Sequence, residues 1–183
     1  MGRSFDTITE QMRTFIERQH LFFVATAPSH GGRVNLSPKG YDSFRVIDER
    51  RVAYLDLTGS GAETIAHLRQ NGRVTFMFCA FDGRPDIVRL YGRGTVLRPG
   101  DDGFDEKVAL FDGSVATAGA VRSVIVADID RTSNSCGYGV PFMEFGADRD
   151  RLIEWADGKD DEALQTYWST KNATSIDGLP ALD

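Results

Sequence analysis

Cysteine is scarce in this chain: Cys79 and Cys136 are the only two in 183 residues. So few cannot build the multi-bridge framework of small secreted domains, and both read as thiols. Cys79 falls in the strand pattern of Phe76 and Phe78, which points to a buried structural place. Histidine is nearly as rare, and His20, His30 and His67 stand at no metal-ligand spacing. Long hydrophobic runs are missing. The longest, Val74–Phe81, is strand-sized and holds Thr75 and Cys79, whereas a membrane span needs about 18 apolar residues. Met1–Arg18 lacks the apolar stretch of a signal peptide, so the expected location is cytoplasmic. An excess of basic charge is also absent. The net charge is −6 and the pI about 5.1, against the basic face that binding nucleic acid demands. No repeat and no low-complexity linker interrupts the chain, so residues 1–183 read as a single domain.

What is present is an ordinary globular composition, 41% hydrophobic and 26% charged, long enough for one core. Phe5, Ile8, Met12, Phe15 and Ile16 recur at helical spacing and predict a helix over Ser4–Gln19. Leu21–Ala27 reads as a strand ending at Pro28; Ser29–Gly32 is a turn, and Arg33–Ser37 resumes the strand. Ser43–Asp48 and Arg51–Leu57 form a further hairpin. A helix follows Ser60 and stops at Asn71-Gly72. Arg73–Phe81 and Asp86–Leu97 are long strands, and Gly92 and Gly94 within the second predict a bulge or bend. Asp105–Phe111 reads as helix, Val121–Ile129 as the last long strand and Thr132–Pro141 as loop. Arg149–Ala156 and Asp161–Lys171 read as helices before a turn-rich tail. Strands dominate the middle and helices the ends without βαβ alternation. The expectation is a mainly β (α+β) fold, an antiparallel barrel with peripheral helices.

Three groups of residues could carry chemistry. Ser60, Gly61 and Thr64 stand at a helix start, where unpaired N–H groups and the helix dipole suit a phosphate. Ser60 with Glu63 is also a capping-box signature, and locally the cap is the simpler reading. Gly59-x-Gly61 partly mimics a dinucleotide fingerprint, but Thr64 takes the third glycine position and no further βαβ crossover follows. In Asn35-Leu-Ser-Pro-Lys-Gly40, Lys39 sits in a constrained turn and could act as a point charge for phosphate. Arg89, Tyr91 and Arg93 alternate onto one strand face opposite Val88 and Leu90. That pattern suits either a solvated exterior or the edge of a flat anionic cofactor. Trp155, Tyr167 and Trp168 read as packing residues and His67 as a helix-surface residue. No side chain stands out as an acid or base.

Asn35-Leu-Ser-Pro-Lys-Gly-Tyr-Asp-Ser-Phe44, Tyr54-Leu-Asp-Leu-Thr-Gly-Ser-Gly-Ala-Glu-Thr64 and His67-Leu-Arg-Gln-Asn-Gly-Arg-Val74 together resemble the pyridoxamine 5′-phosphate oxidase-like flavoproteins, in a widespread uncharacterised branch. Ser135-Cys-Gly-Tyr-Gly-Val-Pro141 and Ser175-Ile-Asp-Gly-Leu-Pro180 are similar to the same branch, so the likeness covers most of the chain. The resemblance implies an antiparallel split β-barrel that binds FMN at a homodimer interface and acts as an oxidoreductase on a small molecule. It implies that Lys39, Ser60, Gly61 and Thr64 cradle the phosphate, that Ser37 and Pro38 line the isoalloxazine edge, and that Arg89 is a further contact. Cys136 could then face the flavin. True pyridoxamine phosphate oxidases carry a lysine where this chain has Thr64 and a C-terminal arginine motif where it has Gly178-Leu-Pro180. The resemblance therefore does not extend to vitamin B6 oxidation. A deazaflavin-dependent reductase and a flavin-binding module without turnover are the alternatives on the same fold.

Overall fold

The computed structural model describes residues 2–117 and 119–182. One antiparallel sheet organises them. Its strands are β1 (Arg3–Phe5), β2 (Phe22–Thr26), β3 (Asn35–Lys39), β4 (Phe44–Val46), β5 (Arg51–Leu57), β6 (Arg73–Cys79), β7 (Ile87–Leu97) and β8 (Val121–Ser135). They run in the order β3-β2-β6-β7-β8-β5-β4, with β1 added against β8. The sheet curls so that the inner faces of its two ends meet, and Lys39 on β3 reaches Asp56 on β5 with Nζ 3.5 Å from Oδ1. The strand count and the scattered helices predicted an antiparallel barrel, and the family resemblance implied its split form; both match this architecture.

Alternation builds the barrel interior. Val74, Phe76 and Phe78 of β6, Phe22 and Val24 of β2, and Val88 and Leu90 of β7 are buried on one face, as a period of two requires. Phe22, Phe44, Tyr54, Phe76 and Phe78 meet there at ring separations of 5.0–5.9 Å. Each such buried ring contributes on the order of 1.5–3 kcal/mol by leaving water. Strand β5 is buried on both sides. Val52 and Tyr54 face the interior, while Ala53 and Leu55 pack with Phe104 of α3 (Phe104–Val108) and Phe111. A bulge between Tyr91 and Gly92 shifts the β7–β8 register. A side-chain carbon at Gly92 would collide with the Asp128 carbonyl, so glycine is required there.

Helix α1 (Glu10–Ile16) closes one barrel end with Met12 and Ile16. It is shorter than the predicted Ser4–Gln19. Thr9 caps it, its side chain accepting from the Met12 N–H, and Arg3–Phe5 pairs instead with Thr132–Asn134 of β8. The expected loop from Thr132 is corrected for the same reason, because β8 continues to Ser135 with β1 and β7 as neighbours. Helix α2 (Glu63–Asn71) ends where expected, at Gly72 with φ 71°. After α4 (Ser114–Thr117) and β8 come α5 (Arg151–Asp157) and α6 (Asp161–Lys171). Leu164 and Trp168 of α6, with Ala181 and Leu182 of the tail, cover Ala62, Ile65 and Ala66 at the start of α2. The C-terminal segment thus lies against the helix start singled out by sequence.

Candidate functional site

Strand β3 is an edge strand, and its alternation sorts the Asn35–Lys39 residues into two groups. Asn35, Ser37 and Lys39 pair with Thr26, Val24 and Phe22 and share their inward face. Leu36 and Pro38 point outward and are exposed. The inward residues enter a polar network. Ser37 Oγ donates to Asn35 Oδ1 at 2.9 Å, and Asn35 Nδ2 donates to Thr64 Oγ1 at 3.0 Å and to Thr26 Oγ1 at 3.2 Å. Thr26 Oγ1 lies 2.9 Å from His67 Nδ1. His67 is therefore no helix-surface residue. It is 1% exposed, its Nε2 has no partner among the described residues, and burial lowers its pKa against the opposing pull of Glu63 and Asp177.

Asp56 is the hub of the site. Its Oδ2 accepts from Arg122 Nε at 3.0 Å and Ser123 Oγ at 3.1 Å, with Arg122 Nη2 at 2.9 Å. Among the described residues its Oδ1 has only the Lys39 ammonium. Burial by itself would raise the Asp56 pKa; Arg122 and Lys39 outweigh it, with hydrogen bonds from Arg122 and Ser123, and hold the carboxyl below its ordinary value. The fully buried Tyr54 hydroxyl has no hydrogen-bond partner among the described residues. Burial and the Asp56 charge push it well above the ordinary phenol value, and the Arg122 charge and then nearby Thr64 temper that. Arg122 and Lys39 against Asp56 leave one cation in excess. Lys39, with 23% of its side chain exposed, is the part of that excess that solvent or a ligand can reach.

The turn before α2 is fastened from behind. Arg122 Nη1 donates to the Gly61 carbonyl at 3.0 Å. Asn172 Nδ2 donates to the Gly59 carbonyl at 3.0 Å and more weakly, at 3.5 Å, to that of Ser60. Ser60 and Gly61 are exposed. Ala62 rather than Ser60 occupies the cap position and makes no side-chain capping bond, so the capping-box reading is corrected. Glu63 instead folds back over Gly61, where an added side-chain carbon would strike its carboxylate, and its Oε1 accepts from the Ile176 N–H at 3.1 Å.

Of the residues singled out by sequence, Ser37, Lys39 and Thr64 therefore gather on the inward side, with Ser60 and Gly61 exposed at the nearby helix start. Pro38 and Arg89 do not join them. The register Pro38–Phe23–Met77–Arg89 runs across the outer face, three strand spacings or about 14 Å. Arg89 Nη1 donates to Ser135 Oγ at 3.2 Å. Ser135 and the exposed Cys136 belong to a separate cleft of about 880 Å³ that also touches Arg3, Arg18 and Arg84. None of Ser37, Lys39, Ser60 or Thr64 lines it. Cys79 is buried and free; burial raises its pKa, partly offset by Arg89. Among the described residues no cluster of His, Cys, Asp and Glu could hold a metal, and no helix is long and apolar enough to cross a membrane.

Asp56, Arg122 and Asn172 escaped the reading of the sequence. Arg122 did leave a trace, a lone charge inside the apolar run of β8. Asn172 left none, since its partners lie more than a hundred positions away, 113 for Gly59.

Residues 8–136 match the sequence family described as Pyridoxamine 5′-phosphate oxidase. A pyridoxamine 5′-phosphate oxidase family protein of Aspergillus flavus, ustO, is 40% identical over 97% of this chain and 77% of its own length. Among solved structures, HupZ of Group A Streptococcus superposes with a TM-score of 0.55 at 22% identity, over 68% of this chain and 91% of that one. An FMN-binding protein of Syntrophomonas wolfei superposes at 0.53 with 18% identity, over 68% and 84%. At these identities the two structures speak for the fold alone.

Proposed function

The chain belongs to the pyridoxamine 5′-phosphate oxidase family, and from that premise we propose that it binds FMN and works as a flavin-dependent oxidoreductase on a small molecule. The observation that carries the reading is the excess cation at Asp56. A buried carboxylate is overmatched by Arg122 and Lys39, and Arg122 ties that cluster to the exposed turn through the Gly61 carbonyl. The donor set fits a phosphate ester. Lys39 has ammonium N–H groups to spare beyond Asp56, Ser60 offers an exposed hydroxyl, and the start of α2 adds its dipole. Thr64 supports the site from within, its hydroxyl held by Asn35. A structural relative is an FMN-binding protein, which agrees with this chemistry. When bound, FMN would supply hydride or electron transfer; the chain's part is to hold and orient it.

A homodimer belongs to the same proposal. The outer face carries half-buried Phe23, Met77 and Tyr91 beside exposed Val34 and Leu36, an apolar surface that a second copy would cover. Within one protomer Arg89 lies on that face, away from Lys39, so an Arg89 contact with the cofactor calls for the partner's flavin. Mass spectrometry of the ligand released from native protein, with its visible absorbance, tests the reading. FMN is the expected result. A deazaflavin would redirect the cofactor, flavin without turnover of reduced nicotinamides would leave a binding module, and protein that takes up no flavin on reconstitution would refute the proposal.

A further inference from the structure

The turn that precedes α2 has all three of its carbonyls tied to buried side chains. Gly59 and Ser60 accept from Asn172 Nδ2 and Gly61 accepts from Arg122 Nη1. No peptide bond among the described residues is cis, and in a planar trans peptide the C=O of one residue points opposite to the N–H of the next. Drawing the carbonyls of 59, 60 and 61 inward therefore turns the N–H groups of Ser60, Gly61 and Ala62 outward. None of these three N–H groups has an acceptor among the described residues. Successive outward N–H groups make a concave anion site, and this one is joined to the Lys39 ammonium through Arg122 and Asp56.

From this we infer that Asn172 and Arg122 are positioning residues for the phosphate of the flavin, acting through the backbone of residues 59–62 without touching the ligand. The inference rests on the FMN reading above and adds what shapes the site. Asn172 is wholly buried at the end of α6, and its Oδ1 has no partner among the described residues while its Nδ2 serves the turn. A buried amide with half its capacity idle is uncommon; the donor half is what this position uses. Four residues earlier, one helical turn away, Trp168 Nε1 donates to Thr58 Oγ1 at 2.9 Å. The Thr58 N–H is in turn bound to the Ala120 carbonyl at 2.7 Å. Helix α6 and its terminal Asn172 thus hold Thr58, Gly59 and Ser60, while Arg122 of β8 holds Gly61, which gives the C-terminal helix a part in cofactor selection.

The test compares FMN with riboflavin, which lacks the phosphate, in the full-length protein. Asn172→Leu keeps the volume and removes the donor without adding charge. Arg122→Lys keeps the charge against Asp56 and loses the reach to Gly61. Each should lower FMN affinity by about tenfold or more, the worth of a charge-assisted hydrogen bond, and leave riboflavin affinity nearly unchanged. On the unaltered protein, amide NMR should show Ser60, Gly61 and Ala62 shifting with FMN and not with riboflavin; this arm decides the matter if either variant fails to fold. Variants that keep the FMN-to-riboflavin ratio, or that weaken both flavins equally, overturn the positioning role and leave the FMN reading standing. Silent amides at 60–62 on FMN binding overturn it too. An unaltered protein that binds neither flavin overturns both proposals.

Discussion

Replacing Asp56 by asparagine should cost this protein several kcal/mol of stability. The carboxylate is fully buried, and Arg122 gives it two contacts near 3 Å while itself only 4% exposed in its side chain. An amide keeps one acceptor at best. Turned toward Arg122 that oxygen leaves an NH₂ facing the Lys39 ammonium; turned the other way it sets NH₂ against the guanidinium. Either way Arg122 becomes a buried cation without a counter-charge, a change that costs about 3–5 kcal/mol in comparable sites. For a chain of this length that is a fall of roughly 6–20 °C in Tm. Urea denaturation at neutral pH measures it. The pH dependence gives a second check. Because the folded-state pKa of Asp56 is depressed, its contribution is complete above the unfolded carboxyl pKa, about 3.9, and drains away as pH falls through the lower folded value. The Asp56→Asn protein should lose that part of the acid sensitivity. A loss below about 1 kcal/mol, the value of an exposed pair, would show that water reaches the cluster and would refute the account of Asp56 as a desolvated hub.

Lys39→Ala should weaken FMN by about 1.5–3 kcal/mol, one charge-assisted contact, and disturb folding less, since Arg122 still serves Asp56; equal FMN affinity by fluorescence titration would remove Lys39 from the site. Glu63→Gln takes away a like charge beside Gly61 and keeps an acceptor for the Ile176 N–H, so FMN should bind about two- to fivefold tighter, the scale of one partly exposed charge interaction. Unchanged or weaker binding in a titration would mean that the phosphate lies elsewhere. Gly92→Ala drives a side-chain carbon into the Asp128 carbonyl and should cost at least the ~1–3 kcal/mol of an overpacked core; an unshifted urea midpoint would contradict the bulge geometry.

Short-range chemistry is what the sequence made legible. Helix α6 spans the predicted Asp161–Lys171 because Asp160 caps it, accepting from the Ala163 N–H at 2.8 Å. The end of α2 at Asn71 was readable because Gly72 takes a positive φ that few residues accept. Errors arose where a distant partner overruled a local pattern. Phe5 fits the helical spacing of Ile8 and Met12, yet it packs toward the same core from a strand, since Thr132 on β8 supplies its pairing. His67 carried no mark of its buried bond to Thr26, 41 positions away. The candidate site divides the same way. Lys39, Ser60, Gly61 and Thr64 lie in short local motifs that the family resemblance singled out, while Asp56, Arg122 and Asn172 are linked across separations of 66 and 113 residues that no local pattern encodes.

Stability alone gives a poor account of the Asp56 cluster. Burying a carboxylate and a guanidinium costs several kcal/mol per ion before their attraction repays it, and apolar residues of similar volume often serve a fold as well or better. This barrel does not lack such residues: Phe22, Phe44, Tyr54, Phe76 and Phe78 already fill its interior. Leucine or phenylalanine at 56 and 122 could close the seam between β3 and β5. They could not draw the Gly61 carbonyl inward, and they could not hold the partly exposed Lys39 ammonium on the same ion cluster. Those two effects are what the ion cluster adds to the fold, and both favour an anion at the same turn. A phosphate would engage the cation that Asp56 leaves unmatched, against the opposing charge of Glu63 over Gly61, so the ion cluster and the phosphate of the proposed cofactor complement each other.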